Sequence, residues 1–150
     1  MIVLEDLLYT EEHIWVKPDG NQEKAVVGIT DFGQEEFGTL VSVDLPEAGD
    51  EFVETDCFAT VENSMGQVSE LLCPLTGKVL LVNDQLIDAP NMINEDPYDD
   101  GWIIVLKLAQ PQELDDLMTP EEYEKYVDEL KIKEDEELED EDDALEVVEE

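Results

Sequence analysis

The sequence contains no arginine, and this absence limits the partners that the chain can bind. Its seven basic residues are all lysines, scattered singly, against 43 acidic residues, and the formal net charge is −36. Binding to nucleic acid needs a basic patch that releases counterions from phosphates, and anionic lipid surfaces attract basic segments for a similar reason. We therefore expect neither nucleic acid nor a membrane as a partner.

Long apolar runs are absent as well. No stretch approaches the roughly 18 apolar residues of a membrane-spanning helix, and the first eight residues include Glu5 and Asp6 instead of the basic start of a targeting peptide. Hydrophobic residues nevertheless make up 42% of the chain, which is enough for a folded core. These features predict a cytoplasmic protein.

Cysteine and histidine are scarce, and their scarcity argues against an enzyme. Cys57, Cys73 and His13 are the whole inventory. They cannot form a disulfide framework or a metal site at a familiar ligand spacing, and no stretch has the ligand pattern of a calcium loop. We expect no catalytic residue and no metal, since a histidine base or a Cys–His pair is hard to assemble. His13 is expected to be a hydrogen-bonded structural residue.

The two cysteines are equally far in sequence from Met65. In a regular hairpin centred on Met65 they would lie directly opposite each other, at a Cβ separation of roughly 4.5–5.5 Å. A disulfide or a thiol pair is then conceivable, but two buried thiols in a reducing cytosol are the favoured prediction.

The composition changes near residue 131. Residues 131–150 contain 12 acids and two lysines, with no glycine, proline or aromatic residue. This pattern is typical of a solvated acidic segment, disordered or helical with frayed ends. We predict one domain at residues 1–130 followed by an acidic tail at 131–150, which either keeps the protein soluble or binds cations or a protein.

The body of the chain is predicted to be mainly β. Short apolar runs alternate with turn residues, and Gly38–Asp44 and Gly77–Asn83 share one pattern at a spacing of 39 residues, as two related β halves would. Thr30 is expected to cap a short helix that Gly38 ends. A longer helix is predicted at Pro120–Leu130, with an apolar face that docks on the sheet. The predicted strands are Ile14–Lys17, Lys24–Ile29, Leu40–Leu45, Cys57–Glu62, Val68–Cys73, Gly77–Val82 and Trp102–Leu108.

Several segments resemble one known family. Tyr9–Val16 reads Y-T-E-E-H-I-W-V and resembles the Y-T-E-E-H-E-W-V opening of glycine cleavage system H proteins. The similarity is strongest at Ile93–Trp102 and covers roughly residues 8–130 in order. The resemblance implies a mainly β (α+β) fold, a lipoyl-domain-like barrel-sandwich hybrid of two β half-motifs with short helices and a C-terminal helix.

The resemblance also implies a functional position, at which this sequence departs from the family. H proteins attach lipoate to a lysine in a V-E-S-V-K-A run at a hairpin tip, and the lipoyl arm carries an aminomethyl group between the other enzymes of the system. Here the lysine position falls on Met65 when counted from Val61-Glu62 and on Gly66 when counted back from Pro74. No lysine lies between Lys24 and Lys78.

Two further positions relate to docking of the arm. The family has an acid between the histidine and the tryptophan of its opening motif, and this chain has Ile14, which cannot accept a hydrogen bond from the loaded arm. Glu70 matches an acid that follows the lysine in the family, and it is retained.

We therefore expect a non-enzymatic homologue without lipoate. It would dock to, scaffold or regulate glycine cleavage or other lipoate-linked enzymes. Gly66 is expected to serve turn geometry at positive φ, and Met65 either contacts a partner or folds back onto the sheet. Two alternatives remain: an active H protein that shuttles aminomethyl groups on a lipoyl arm at Lys78 or elsewhere, and a module that binds through the acidic tail.

Overall fold

The computed structural model describes residues 4–132 and shows two antiparallel sheets. The larger sheet has the strand order β1-β2-β3-β9-β8-β5, and the smaller has the order β4-β6-β7. The prediction of a mainly β fold is confirmed. The strands are β1 (Leu8–Tyr9), β2 (Ile14–Pro18), β3 (Lys24–Ile29), β4 (Leu40–Asp44), β5 (Glu51–Phe52), β6 (Cys57–Asn63), β7 (Val68–Leu72), β8 (Gly77–Val82) and β9 (Ile104–Leu108).

Helices cover the ends and one face of this framework. The Thr30 side chain accepts a hydrogen bond from the Gly33 amide at the start of the first helix, as predicted. The last helix begins with a reciprocal capping box, in which Thr119 and Glu122 each bond the other's backbone amide. The helices are α1 (Asp31–Phe37), α2 (Gln85–Asp88), α3 (Met92–Glu95), a 3-10 helix (Pro111–Asp116) and α4 (residues 120–132).

The main core lies between the two sheets. Ile14, Val27 and Ile104 from the large sheet are completely buried, and Val61 and Leu71 from the small sheet complete the cluster. The two similar segments predicted as β halves become β4 in the small sheet and β8 in the large one. The repeat therefore supplies one strand to each side of the same core.

A second, aromatic cluster covers the opposite face of the large sheet where α4 docks. Tyr9 stacks on Tyr123 at a ring-centroid distance of 4.5 Å, and both are completely buried. Trp15 is 1% exposed, and its indole nitrogen donates to the Pro97 carbonyl at 2.9 Å. Val127 is buried beside them, so the predicted docking of this helix on the sheet is confirmed.

Six predicted elements differ from the structure at one end. β2, β4 and β6 end one residue from the prediction, at Pro18, Asp44 and Asn63. The other three are β9, β7 and α4. Trp102 and Ile103 lie outside β9. The Asn83 side chain donates to the Trp102 carbonyl at 2.8 Å, whereas Ile103 still bonds Val27 and Asn83 through its backbone. Cys73 lies outside β7 and bonds through its amide to Asp56. Helix α4 continues to residue 132, into the predicted tail, and residues 133–150 lie outside the described part of the chain. Among residues 4–132, no helix is long and apolar enough to cross a membrane.

His13 connects α4 to the large sheet, as expected of a structural histidine. Its Nδ1 atom lies 3.0 Å from the Tyr123 hydroxyl, and burial lowers the pKa of the imidazole to about 4. Because an unfolded histidine has a pKa near 6.5, the unfolded state takes up a proton first as the pH falls. The folded state should therefore lose stability between about pH 6.5 and pH 4.

A histidine-to-asparagine variant tests this dependence. Asparagine tolerates the left-handed backbone of His13, where φ is +67°. Between pH 7 and pH 4.5 we expect the wild type to lose about 2 kcal/mol of unfolding free energy relative to His13→Asn, measured by urea denaturation. If the unfolding free energies of the two proteins change with pH in the same way, the imidazole of His13 is not buried in its neutral form.

Candidate functional site: the tip of the second sheet

Strands β6 and β7 form a hairpin that presents Met65 at its tip. The strands pair Thr60 with Glu70 and Glu62 with Val68, and the connection between them is Ser64-Met65-Gly66-Gln67. The Gly66 amide donates to the Asn63 carbonyl at 3.0 Å, and Gly66 has φ +83°. The predicted positive φ is therefore confirmed, and the loop has the form of a turn followed by a left-handed glycine.

Asn63 holds this turn in place, and sequence reasoning did not single it out. Its Oδ1 atom accepts from the Met65 and Gln67 amides, both at 3.0 Å. Its Nδ2 atom donates to the Phe37 carbonyl at 2.8 Å and to Gln67 Oε1 at 3.0 Å. The tip is thereby tied to the end of α1. An asparagine before a predicted turn was the available signal, because asparagine often bonds the backbone two residues on.

The Met65 side chain is 83% exposed. The alternative that it folds back onto the sheet is therefore wrong. Val68 and Val41, at 63% and 53% exposure, are the other exposed apolar residues near this end of the small sheet. Methionine is over-represented at adaptable binding surfaces.

Glu70 lies on the outer face of the small sheet, away from the core. It is exposed and belongs to a cross-strand row with Thr60 and Asp44. The adjacent row contains Ser42, Glu62 and Val68. The face behind the tip is therefore acidic.

Ile14 lies in a different environment. It is completely buried in β2 of the large sheet, between the two sheets. The structure therefore does not bring Ile14 and Glu70 onto one surface, and position 14 offers no polar group to an arm.

Lys78 lies in a strand, as the predicted bounds Gly77–Val82 implied. It is an exposed residue within β8 and pairs with Glu51 on one side and Lys107 on the other. The ladder on both sides fixes the backbone here, because Gly77 and Val79 are also paired.

The expectation of two buried thiols is wrong for Cys57. A register shift between Cys57 and Ala59 pairs Cys57 with Leu72, and leaves Cys57 exposed while Cys73 is buried. Both are free thiols. Burial raises the pKa of Cys73 to about 11, so its thiolate is scarce at neutral pH.

Comparison with known proteins identifies the family. Residues 7–130 match the family model described as Glycine cleavage H-protein. The chain belongs to this family. It is 45% identical over 130 residues to the glycine cleavage system H protein of Halothermothrix orenii, covering 87% of this chain and 99% of the relative. It is 46% identical over 129 residues to that of Anaeromyxobacter sp., covering 86% and 98%.

A solved structure agrees with the fold of this H-protein homologue. The crystal structure of a glycine cleavage system H protein from Mycobacterium marinum superposes with a TM-score of 0.69 at 31% identity, covering 81% of this chain and 95% of the other. The family normally carries lipoate. The residues at this tip do not fit an amide-linked group, because Met65 ends in a thioether and Gly66 has no side chain.

Proposed function

We propose that this H-protein homologue has lost the lipoyl-attachment lysine and works as a non-enzymatic docking, scaffolding or regulatory protein. Met65 and Gly66 occupy the attachment-equivalent position, and the chain carries no lipoate. Its partners are enzymes of glycine cleavage or of other lipoate-linked metabolism in the cytoplasm. The observation that carries the proposal is an exposed methionine on a hairpin tip, in a stretch with no lysine between Lys24 and Lys78.

The chemistry of attachment supports this loss. Lipoate attaches through an amide, which needs a primary amine on a segment that an attaching enzyme can reach. Lys78 is an amine within a paired strand, where the backbone of β8 is bonded to both β5 and β9. Ile14 and Glu70 would flank the arm in the family, but here position 14 is buried and apolar, so no arm-docking pair is formed.

The rigidity of the tip supports a docking role. The four bonds of Asn63 hold the turn without help from a bound group. A preorganised apolar residue loses little conformational entropy when it binds, and methionine adapts its shape to a partner pocket. The domain at residues 1–130 would present this tip, and the acidic tail would lie outside it.

The first test is a mass measurement. We expect the full chain, co-expressed with a lipoate-attaching system, to keep its unmodified intact mass, whereas the Halothermothrix orenii H protein gains one lipoyl group in the same cells. Peptide mapping that finds a lipoylated lysine, at Lys78 or elsewhere, would overturn the proposal and favour an active carrier.

The second test is competition for the partner enzymes. Added to a glycine cleavage reaction run with the lipoylated Halothermothrix orenii protein, this chain should inhibit competitively, and Met65→Glu should weaken inhibition roughly tenfold because it places a charge in an apolar contact. Val53→Glu, a matched change at a residue that is 55% exposed elsewhere, is the control. Docking through this tip is excluded if the chain does not inhibit the reaction, or if Met65→Glu and Val53→Glu weaken inhibition equally.

A further inference from the structure

Three of the seven lysines form one row across the outer face of the large sheet. Lys24 on β3 is directly opposite Lys107 on β9, and Lys107 is directly opposite Lys78 on β8. All three side chains are exposed. Neighbouring strands are about 4.8 Å apart, so the row spans about 10 Å.

This row is electrostatically unfavourable in the free protein. Like charges directly opposite each other destabilise an antiparallel pair, and here two such pairs share Lys107. The chain has 43 acids, yet among residues 4–132 no carboxylate lies within 4.0 Å of these three amines. The only ion pair in that range joins Lys17 to Asp6 at 3.9 Å. Acids flank the row at its two ends, because Glu51 lies directly opposite Lys78 and the Asp19 side chain accepts from the Lys24 amide. Lys107 is therefore the amine of the row that has a lysine on both sides.

Grooves border the row on both sides. Lys78 and Lys107 line a groove of about 600 Å³ whose other lining residues include Phe52 and the acids Glu51 and Asp56. Lys24 lines a second, smaller groove of about 320 Å³. Helix α4 packs on the aromatic cluster around Trp15 and Tyr9, which belong to β2 and β1. The row is therefore accessible, with space next to it for a ligand.

We propose that the lysine row is a binding site for a small ligand with several oxyanion groups, either phosphates or carboxylates. Each ammonium group donates charge-assisted hydrogen bonds to such oxygens, and a ligand with anionic groups over about 10 Å can contact all three amines. Binding removes the repulsion that Lys107 has with Lys24 and Lys78, because the acids Asp19 and Glu51 lie beside the outer lysines and not opposite Lys107. The net charge of −36 repels anions at long range, so recognition depends on these short-range contacts.

Isothermal titration of the full chain tests the site with two probes, tripolyphosphate and citrate, at constant ionic strength. We expect one or both to bind with one-to-one stoichiometry. Lys107→Glu should lower the affinity roughly tenfold or more, since it removes the central amine and adds a repulsive charge. The same variant should raise the melting temperature of the free protein, because it creates opposite-charge pairs with Lys24 and Lys78.

Lys125→Glu is the matched control, since Lys125 is an exposed lysine on α4 outside the row and the variant has the same net charge. It should leave both the affinity and the melting temperature nearly unchanged. Tighter binding of tripolyphosphate than of citrate assigns a phosphate ligand, and the reverse assigns a carboxylate. Absence of binding by both probes, or equal weakening by the two variants, would overturn the site. Lys107→Gln repeats the affinity test if the glutamate variant folds poorly.

Discussion

Replacing Gly28 with alanine should lower the free energy of unfolding by about 3 kcal/mol. Gly28 lies directly opposite Trp15 in the β2–β3 ladder, and a methyl group at position 28 would lie 2.6 Å from the indole carbons Cε2 and Cζ2. The indole cannot move aside easily, because it is buried and donates to Pro97. Alanine therefore forces either an overpacked contact or loss of that hydrogen bond.

Urea denaturation of Gly28→Ala and Gly20→Ala checks this prediction. Gly20 has open space where its side chain would be, and alanine there should change the unfolding free energy by less than about 1 kcal/mol. Similar stability for the two variants would show that the indole repacks without cost. Near-ultraviolet circular dichroism reports whether Trp15 keeps its environment.

Replacing Asn63 with alanine should lower the free energy of unfolding by about 2–3 kcal/mol and loosen the Met65 tip. The change removes four hydrogen bonds, including the one that satisfies the Phe37 carbonyl at the end of α1. Amide hydrogen exchange at residues 64–67 should accelerate more than exchange in the main core, because the lost bonds are local to the turn.

Ser64→Ala is the control in the same turn. Ser64 is exposed and is bonded to the Thr39 carbonyl through its backbone amide, which alanine keeps. We expect nearly unchanged stability and exchange for this variant. If Asn63→Ala behaves in the same way, the tip is not held by this side chain, and the docking proposal loses the preorganisation on which it depends.

Most of the strands could be predicted because their signals are local. The bounds of β3 and β8 agree with the prediction at both ends, and the cap at Thr30 was evident from residue type alone. The two-residue strands β1 and β5 could not be predicted. Tyr9 pairs with Trp15 in β2 and is also held by backbone bonds to Met118, which is distant in sequence, and no short stretch of sequence contains that second contact.

The candidate site was predicted in part. The sequence placed Met65 and Gly66 at a hairpin tip and predicted the positive φ of Gly66. It left open whether the methionine is exposed, because a flexible apolar side chain is compatible with either outcome. It missed Asn63, whose bonds to Phe37 depend on how α1 meets the hairpin.

By itself the sequence determined the family, the β-rich architecture and the absence of an amine from the hairpin tip. These follow from residue identity and from periodicities that act over a few neighbours. The tertiary structure alone decided that a bulge separates Cys57 from Cys73, and that Lys24, Lys78 and Lys107 share one row. Both depend on the register between strands distant in sequence, which is set by packing of the whole core and by no local pattern.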